Sequence, residues 1–157
     1  MKVKPNNYIA IEFPSRSVNE GLARAAVAAF AAQLDPTLDE LGDIKTAVSE
    51  AVTNAIVHAY QERGGVIALD AGLRADGRLL LSVRDWGCGI ADIGKAMEPF
   101  FTTQPEKERS GMGFAVMQSF MDAIRVESEV NAGTTVYMEK QLRLQEDAPR
   151  EPEAALN

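Results

Sequence analysis

The chain has 157 residues, of which 46% are hydrophobic, with a formal net charge of −7 and a pI near 4.8. This length suits one compact domain, and the hydrophobic fraction is enough for a real core, which argues against a disordered chain. The acidic balance argues against a nucleic-acid binder, since such proteins carry a basic face. The single cysteine, Cys88, excludes an internal disulfide framework and fits a reducing compartment.

Membrane insertion and secretion are not indicated by the sequence. No stretch approaches the roughly 18 consecutive apolar residues that a membrane-spanning helix requires. The N-terminal segment MKVKPNNYIAIEF carries lysines but lacks the long apolar run of a signal peptide. The sequence therefore predicts a cytoplasmic protein.

The N-terminal part of the chain has the pattern of a strand followed by an alanine-rich helix. Residues 8–13 (YIAIEF) have the alternation of a strand. Ser17 and Glu20 have the spacing of a capping box, in which each side chain bonds the other residue's backbone N–H. The pattern predicts a helix that runs to about Leu34 and is broken before Pro36.

A second helix is predicted over residues 38–60. Thr37 and Glu40 repeat the capping-box spacing immediately before it. Its apolar residues recur at three- and four-residue steps, so they share one face, which we expect to lie in the core. These residues are Leu41, Ile44, Val48, Val52, Ala55, Ile56 and Ala59.

The middle of the chain has the pattern of a hairpin followed by a long loop. Residues 66–73 and 78–85 have strand patterns, and Asp76-Gly77 between them is a strong hairpin signal. Residues 98–110 are polar and interrupted by prolines, which indicates a loop. A loop of this length in a compact domain is usually functional or disordered.

The C-terminal part has the pattern of a helix, a second hairpin and a tail. Residues 113–121 are predicted to be helical, and residues 124–129 and 134–141 are predicted strands. From residue 146 the composition shifts to Asp, Glu, Pro and Ala, which predicts a frayed end. We assign residues 1–143 to one domain and residues 144–157 to a flexible acidic tail.

The order of elements predicts the fold class. It reads strand, helix, helix, hairpin, loop, helix, hairpin. Hairpins give a mixed, mostly antiparallel sheet, and the helices must cover one of its faces. The sequence therefore predicts an α+β protein, a two-layer α/β sandwich rather than a doubly wound sheet.

Glu50 and Asn54 are four residues apart on the second helix, so they lie on one face about one turn apart. This face differs from the apolar one. An amide oxygen such as that of Asn54 suits Mg²⁺, a hard ion that prefers oxygen ligands. A carboxylate such as that of Glu50 can accept a proton from an attacking hydroxyl group. Alone, the pair also fits a solvated helix face.

Asp85-Trp86-Gly87-Cys88-Gly89 ends a predicted strand. The two glycines permit unusual backbone angles and the close approach of a ligand. An ionised aspartate can accept a hydrogen bond from an amino group such as the N6 amine of adenine. Alone, this segment also fits a simple turn.

Gly111-Met112-Gly113 precedes the third helix. Free backbone N–H groups at a glycine-rich helix start favour phosphate oxygens. Arg109 stands just before and could reach a terminal phosphate. The segment lacks the Lys-Ser/Thr of a Walker motif and the preceding strand of a Rossmann fingerprint. Alone, it also fits an ordinary junction between a loop and a helix.

Together, the three motifs resemble the N, G1 and G2 boxes of the ATPase superfamily shared by histidine kinases, Hsp90, type II topoisomerases and MutL. The segments SEAVTNAIVHAY, FTTQPEKERSGMGF and ESEVNAGTTVY are further similar to the anti-sigma serine kinases, above all the anti-sigma F family of spore-forming bacteria. The resemblance covers about residues 8–141. The boxes are carried by Glu50-x-x-x-Asn54, Asp85-x-Gly87-x-Gly89 and Gly111-x-Gly113.

This resemblance implies more than the residues alone do. It implies a Bergerat-type fold that binds ATP with Mg²⁺ between the asparagine-bearing helix and a mobile lid over about residues 99–110. It implies transfer of the γ-phosphate to a serine of a small anti-anti-sigma protein. It also implies a homodimer that holds a sigma factor, here sigma F, away from RNA polymerase.

The resemblance also implies roles for single residues. Glu50 would be the general base, and Asn54 the Mg²⁺ ligand. Arg109 would contact the γ-phosphate. Asp85 would bind the adenine amine with help from Thr134. The other residues implied to bind the nucleotide are Gly87, Gly89, Thr103, Ser110, Gly111, Met112 and Gly113.

Several residues lie outside the motif pattern. Trp86 replaces the smaller or polar residue expected inside the second box, and Ala59 stands where a glycine often follows the histidine. We interpret His58 as a packing residue and assign Cys88 no metal or nucleophile role. Arg24, on a helix rich in alanine, is a hypothetical docking site for an acidic partner.

Three alternatives stay open at this point. One is a histidine-kinase catalytic domain. The sequence before residue 8 predicts no phosphoacceptor helix, which counts against this alternative. Another is an anti-sigma kinase of the general stress response, although DIKTAVSEAVTNA favours the sporulation type. The last is a nucleotide-gated binding module without catalysis, which would not need Glu50.

Overall fold

A five-stranded sheet with helices on one face forms the fold in the computed structural model, which describes residues 5–61, 63–98 and 113–143. The strands lie in the order β1-β2-β3-β5-β4. The elements are β1 (Asn7–Pro14), α1 (Val18–Ala31), α2 (Leu38–Asn54), β2 (Val66–Leu73), β3 (Arg78–Asp85), α3 (Ile93–Ala96), α4 (Gly113–Phe120), β4 (Ala123–Glu129) and β5 (Gly133–Gln141).

The α+β class and the two-layer architecture are confirmed. All strand pairings among the described residues are antiparallel, so the parallel component that we allowed in a mixed sheet is absent from this part of the chain. Two hairpins supply the pairs β2–β3 and β4–β5. Between β1 and β2 the chain forms two helices and then returns, so that β2 pairs with β1. Helices α1, α2 and α4 pack side by side over the sheet.

The core lies between the sheet and α2. Alternate strand residues such as Leu69, Leu81 and Met138 are buried against the helices. The apolar face predicted for α2 is confirmed, since its central residues Ile44 and Val52 are fully buried. The opposite face of the sheet carries no helix among the described residues.

One predicted helix cap is confirmed and the other is wrong. Thr37 Oγ1 accepts from the Glu40 N–H at 3.1 Å, and Glu40 Oε1 accepts from the Thr37 N–H at 2.9 Å. Ser17 has helical backbone angles (φ −54°, ψ −32°) and makes no side-chain cap bond. Capping requires an extended backbone at that residue, so the capping-box spacing alone is not sufficient.

The second helix ends in a π-helical turn, Ala55–Ala59, which the sequence pattern did not predict. The Tyr60 N–H bonds the carbonyl of Ala55 at 3.1 Å, five residues back instead of four. Such single π turns often occur at functional sites. Here the turn follows Asn54 directly and therefore rotates the end of the helix relative to that side chain.

Both predicted hairpins are confirmed. Asp76 Oδ1 accepts from the Arg78 N–H at 3.1 Å, and Gly77 has φ +84°, a conformation that favours glycine. In the second hairpin, Asn131 and Gly133 also have positive φ.

Two predictions lie outside the described residues. The long loop is described only at Glu98, and the acidic tail of residues 144–157 is not described. Within the described part of the chain, no helix is both long and apolar enough to cross a membrane.

Candidate nucleotide-binding site

A cavity of about 370 Å³ opens between the end of α2, the start of α4 and the adjoining ends of β3 and β5. Its volume falls in the range of small-molecule sites, roughly 300–1,000 Å³. The structure brings five residues of the sequence motifs together in its wall, although they are far apart in the chain. These are Asn54, Asp85, Gly89, Gly113 and Thr134.

Asp85 lies at one end of this cavity, where β3 ends, and its side chain is buried. Its Oδ1 atom accepts hydrogen bonds from the backbone N–H groups of Gly87 at 2.9 Å and Thr134 at 3.2 Å. Burial raises the pKa of Asp85 above its ordinary value, and these two bonds act in the opposite direction. Both bonds end on Oδ1, so no bond from a described residue competes for Oδ2. Asp85 can therefore accept a bond from a ligand amine.

The backbone around Asp85 is packed too tightly for side chains at three glycines. A Cβ at Gly87 would lie 2.3 Å from the carbonyl oxygen of Ala59. A Cβ at Gly89, where φ is +72°, would lie 2.1 Å from the carbonyl oxygen of Glu129. The sequence motif included Gly87 and Gly89, but it missed Gly133.

Gly133 joins the second hairpin to the end of β3. Its φ is +116°, and a Cβ there would lie 2.1 Å from the carbonyl oxygen of Asp85. The Asn131 N–H also donates to the carbonyl of Cys88 at 2.7 Å. The turn before β5 is therefore seated on the Asp85–Gly89 segment, which brings Thr134 next to Asp85. The asparagine-to-glycine turn signal was visible in the sequence, but its contact with a distant strand was not.

The other end of the cavity is formed by α2 and the first residue of α4. A Cβ at Gly113 would lie 2.9 Å from Oδ1 of Asn54, so the absence of a side chain at Gly113 makes room for the Asn54 carboxamide. Glu50 lies one helical turn earlier on α2, is half-buried and is not among the described residues that line the cavity. The Asn54 amide and the backbone N–H groups at the start of α4 suit an anionic ligand and its counter-ion.

Tyr60 holds the two parts of the site together and was not singled out in the sequence. Its hydroxyl donates to the carbonyl of Val66 at 2.5 Å and accepts from the Trp86 N–H at 2.8 Å. The Cys88 N–H donates to the carbonyl of Ala59 at 2.9 Å. The π-helical turn is thereby attached to the Asp85–Gly89 segment.

Trp86, His58 and Cys88 have different surroundings. Trp86 is 45% exposed, is not among the described cavity-lining residues, and lies with its ring under the Arg84 guanidinium, 4.7 Å from the ring centre. His58 and Cys88 both line the cavity, and the Cys88 thiol donates to the His58 carbonyl at 3.2 Å. Trp86 departs from the residue expected inside the second box, but this departure therefore does not change the wall of the cavity.

The donor atoms present fit Mg²⁺ held mainly by a phosphate ligand. Within the described ranges, no group of three or more His, Cys, Asp or Glu side chains is placed to hold a metal ion. Mg²⁺ commonly takes one or two protein oxygens and completes its shell with water and substrate phosphates. The Asn54 carboxamide oxygen, in the cavity wall beside Gly113, would supply one such protein oxygen.

Five residues of the predicted site lie outside the described residues, so their roles stay predictions. They are Thr103, Arg109, Ser110, Gly111 and Met112.

Comparisons with known proteins agree with this geometry. A family model described as a histidine kinase-like ATPase domain matches residues 13–140. The anti-sigma F factor of Geobacillus thermodenitrificans is 57% identical over 136 residues, covering 87% of this chain and 93% of the relative. That of Clostridium acetobutylicum is 53% identical over 141 residues, covering 90% and 98%.

Solved structures share the fold at low sequence identity. A Mycobacterium tuberculosis protein with RsbU and RsbW domains aligns with a TM-score of 0.60 at 20% identity, covering 88% of this chain and 32% of that one. Full-length ShkA in complex with AMPPNP aligns with a TM-score of 0.56 at 23% identity, covering 80% and 30%. These likenesses show the fold alone. The sequence comparisons show that the chain belongs to the histidine kinase-like ATPase family and, within it, to the anti-sigma F factors.

Proposed function

We propose that this protein is an anti-sigma factor and an ATP-dependent protein serine kinase. It binds a sporulation sigma factor, sigma F, and keeps it inactive. It phosphorylates a small anti-anti-sigma protein on a serine, with ATP and Mg²⁺, and thereby controls its own antagonist. It acts in the cytoplasm and contacts neither nucleic acid nor membrane directly.

One observation carries this proposal. A buried carboxylate, Asp85, and a helix start with an adjacent amide, Gly113 beside Asn54, lie in the wall of the same cavity. The two features suit the amino group of a base and the phosphates of the same nucleotide. They occur in a chain that is more than half identical to anti-sigma F factors over nearly its whole length.

The chemistry proposed for the site is direct transfer of the γ-phosphoryl group. The serine oxygen of the partner forms a bond to the γ-phosphorus, the bond to the β,γ-bridging oxygen breaks, and ADP leaves. Glu50 accepts the serine proton. Asn54 holds Mg²⁺, which offsets negative charge on the phosphates when it is bound. Arg109, from its position in the sequence, serves the γ-phosphate.

Phosphorylation releases the partner through charge. The new phosphoserine carries nearly two negative charges, and this chain is itself strongly acidic, with a net charge of −7. Repulsion therefore weakens the contact after transfer. The direction of the cycle follows, because the unmodified partner binds and the modified partner leaves.

Two surfaces are proposed to serve protein partners. The sheet face without helices carries Tyr8, which is 70% exposed, and Tyr137, whose ring lies 4.1 Å from the Arg125 guanidinium. We assign the homodimer contact to this face. Arg24 on α1 is exposed but bonds Glu20 at 3.1 Å and Ser49 at 3.3 Å, so these neighbours orient it for an acidic partner. Normal sigma binding by an Arg24→Glu variant would remove Arg24 from this role.

The alternatives are less well supported. The relatives at 53–57% identity are named anti-sigma F factors, whereas an aligned structure with an RsbW domain is 20% identical and one of a blue-light activated histidine kinase is 21% identical. The sporulation role is therefore favoured over a general-stress kinase or an isolated histidine-kinase domain. A non-catalytic binding module would not need a base at the position of Glu50.

A phosphotransfer assay tests the proposal. Purified protein is mixed with Mg²⁺, ATP labelled at the γ-phosphate and the anti-anti-sigma candidate encoded beside it, and a Ser→Ala version of the partner is the control. Label on the serine and none on the control is the expected result. Label on His58, or none anywhere despite ATP binding, would overturn the kinase assignment.

A further inference from the structure

Tyr60 follows the π-helical turn at the end of α2, and its hydroxyl lies between the start of β2 and the end of β3. The hydroxyl donates to the carbonyl of Val66 at 2.5 Å and accepts from the N–H of Trp86 at 2.8 Å. Tyr60 is not among the described residues that line the cavity. Its effect on a ligand must therefore come from where it holds other parts of the chain.

The Tyr60 hydroxyl occupies the position of a hydrogen bond between two strands. The pairing of β2 with β3 extends up to the residues adjacent to Val66 and Trp86, which are next in register. The neighbouring Gly65 carbonyl faces β1, where it accepts from the Ser15 N–H at 2.9 Å. Backbone groups of successive strand residues face opposite sides, so the Val66 carbonyl faces β3 and the Trp86 N–H. The tyrosine hydroxyl thus stands between two backbone groups that would otherwise bond each other.

This bridge holds the end of β3 apart from β2. A direct N–H···O bond brings nitrogen and oxygen to roughly 2.9 Å, which is shorter than a path through an inserted hydroxyl. Without the hydroxyl, Trp86 can move toward β2 and draw the Asp85–Gly89 segment away from the end of α2. A second bond, from the Cys88 N–H to the carbonyl of Ala59 at 2.9 Å, opposes this movement, so the displacement should be partial.

Through this bridge Tyr60 is connected to both ends of the cavity. Asn54, at the end proposed for the phosphates, is on α2, six residues earlier in the chain, and Asp85, at the base end, directly precedes Trp86. ATP must reach both ends at once, whereas adenosine needs the base end alone. The base end keeps its own geometry without Tyr60, because Asp85 Oδ1 accepts from two backbone N–H groups that do not belong to α2.

We propose that Tyr60 is a positioning residue that sets the separation between the two ends of the cavity and thereby favours ligands that span both. This inference rests on the proposed binding of ATP. The tyrosine acts through the Trp86 N–H on the segment that carries Asp85. Loss of the hydroxyl should therefore weaken the binding of ATP and leave the binding of adenosine, which has no phosphates, unchanged.

The test compares two ligands in two proteins. ATP with Mg²⁺ is titrated into wild type and Tyr60→Phe by calorimetry, and adenosine is titrated into the same proteins by following backbone amide signals in NMR spectra. Tyr60→Phe should bind ATP about two- to tenfold less tightly than wild type, a factor comparable with one net hydrogen bond. Its affinity for adenosine should equal that of wild type, so the ratio of the two affinities should fall by the same factor.

Further variants separate this effect from a general loss of structure. Ser119→Ala removes another hydroxyl that donates to a backbone carbonyl, that of Ala115 at 2.9 Å on α4, and should leave both affinities unchanged. A Cβ at Gly65 would lie 2.2 Å from Cε1 of Tyr60, so Gly65→Ala should displace the ring from its bridge and lower the ratio as well. It tests the bridge even if Tyr60→Phe does not fold. In the double variant the ratio should fall no further than in Tyr60→Phe.

The outcomes distinguish the two proposals. If both affinities fall by the same factor in Tyr60→Phe, or if neither falls, Tyr60 does not set the separation of the two ends, and the inference fails while the proposed function stands. A further fall of the ratio in the double variant would also contradict the inference, because Gly65 would then act by a route other than the Tyr60 hydroxyl. If wild type does not bind ATP at all, the proposed function fails as well.

Discussion

The two ends of the cavity are built in different ways. At the base end, around Asp85, backbone contacts fix the geometry, and glycines stand where backbone atoms of another segment approach too closely for a side chain. At the other end, a side chain amide, Asn54, lies against the first residue of α4. The segment that precedes α4 in the chain lies outside the described residues.

We propose that this difference separates nucleotide recognition from phosphoryl transfer. A backbone-built pocket keeps its shape with or without ligand, so the base end is suited to select the nucleotide. The other end, which we propose for the phosphates, includes a side chain, Asn54, that can move when its neighbour Gly113 is changed. Changes at the base end should therefore affect folding or nucleotide choice, and changes at the phosphate end should affect transfer.

The largest effect is expected for Glu50→Gln. It removes the proposed general base and keeps the shape of the side chain, so phosphoryl transfer should fall by about 10²- to 10⁴-fold. ATP affinity should stay within about threefold of wild type. In free energy this is less than the net contribution of a strong neutral hydrogen bond. Single-turnover transfer to the anti-anti-sigma protein and calorimetric titration with ATP measure the two quantities.

A matched control for this variant lies on the same helix. Asp39→Asn removes an exposed carboxylate in the first turn of α2 and should leave transfer unchanged. Loss of ATP binding together with transfer in Glu50→Gln would show that Glu50 binds the nucleotide, contrary to its assigned role.

The next largest effect is expected for Asp85→Asn. Its Oδ1 can still accept from Gly87 and Thr134, but an amide nitrogen then faces the adenine amine in place of an acceptor. ATP affinity should fall about 10- to 100-fold, because a hydrogen bond to a charged group is lost. Calorimetry gives the affinity, and an unchanged far-ultraviolet circular dichroism spectrum confirms the fold. Binding as tight as in wild type would place the base elsewhere.

Stability should respond strongly at Gly89. Alanine there has φ +72° and a Cβ that meets the carbonyl oxygen of Glu129, so Gly89→Ala should lower the free energy of unfolding by about 2–5 kcal/mol. At Gly94, on α3, the nearest atom to a new Cβ is 3.6 Å away. Gly94→Ala should therefore be neutral or slightly stabilising in urea unfolding. Equal effects at both positions would contradict the account of a backbone-built base end.

Gly113→Ala should behave differently from Gly89→Ala. The alanine Cβ at residue 113 would meet the side chain of Asn54, which can move, instead of backbone atoms. The Asn54 carboxamide should be displaced and the fold retained. We expect Mg²⁺-dependent ATP affinity to fall about tenfold while the midpoint of urea unfolding stays close to that of wild type. Unfolding as severe as that of Gly89→Ala would show that both ends are equally rigid.

The smallest effect concerns pH. Burial raises the pKa of Asp85 from its ordinary value of 3.8, so the folded protein binds this proton more tightly than the unfolded chain does. The contribution of this group to stability is then complete below 3.8 and is lost as pH rises through the folded pKa. The unfolding free energy of wild type minus that of Asp85→Asn should therefore increase on acidification. A decrease would mean that the hydrogen bonds from Gly87 and Thr134 outweigh burial.

Local patterns in the sequence predict most of the fold and much of the site. The turn signal at Asp76-Gly77 and the capping box at Thr37 depend on neighbouring residues only, and both are confirmed. The motif residues Asn54, Asp85 and Gly113 were recognisable as a set, and the structure places them in the wall of one cavity.

Other features depend on contacts between distant segments and left no local signal. Gly133 reads as an ordinary turn glycine, yet it is fixed by the approach of the Asp85 carbonyl. Tyr60 and Ser128 accept hydrogen bonds from residues 26 and 38 positions away. At Ser17 the local signal was present, but the backbone before α1 does not adopt the angles it requires.

A crystal structure of the protein with Mg²⁺ and AMPPNP tests the central claim most directly. We expect the adenine amine within hydrogen-bond distance of Asp85 Oδ2 and the phosphates at the Gly113 end, with the metal bound to Asn54 Oδ1. A nucleotide bound with its phosphates at Asp85 and its adenine at Gly113, or bound outside this cavity, would contradict this assignment.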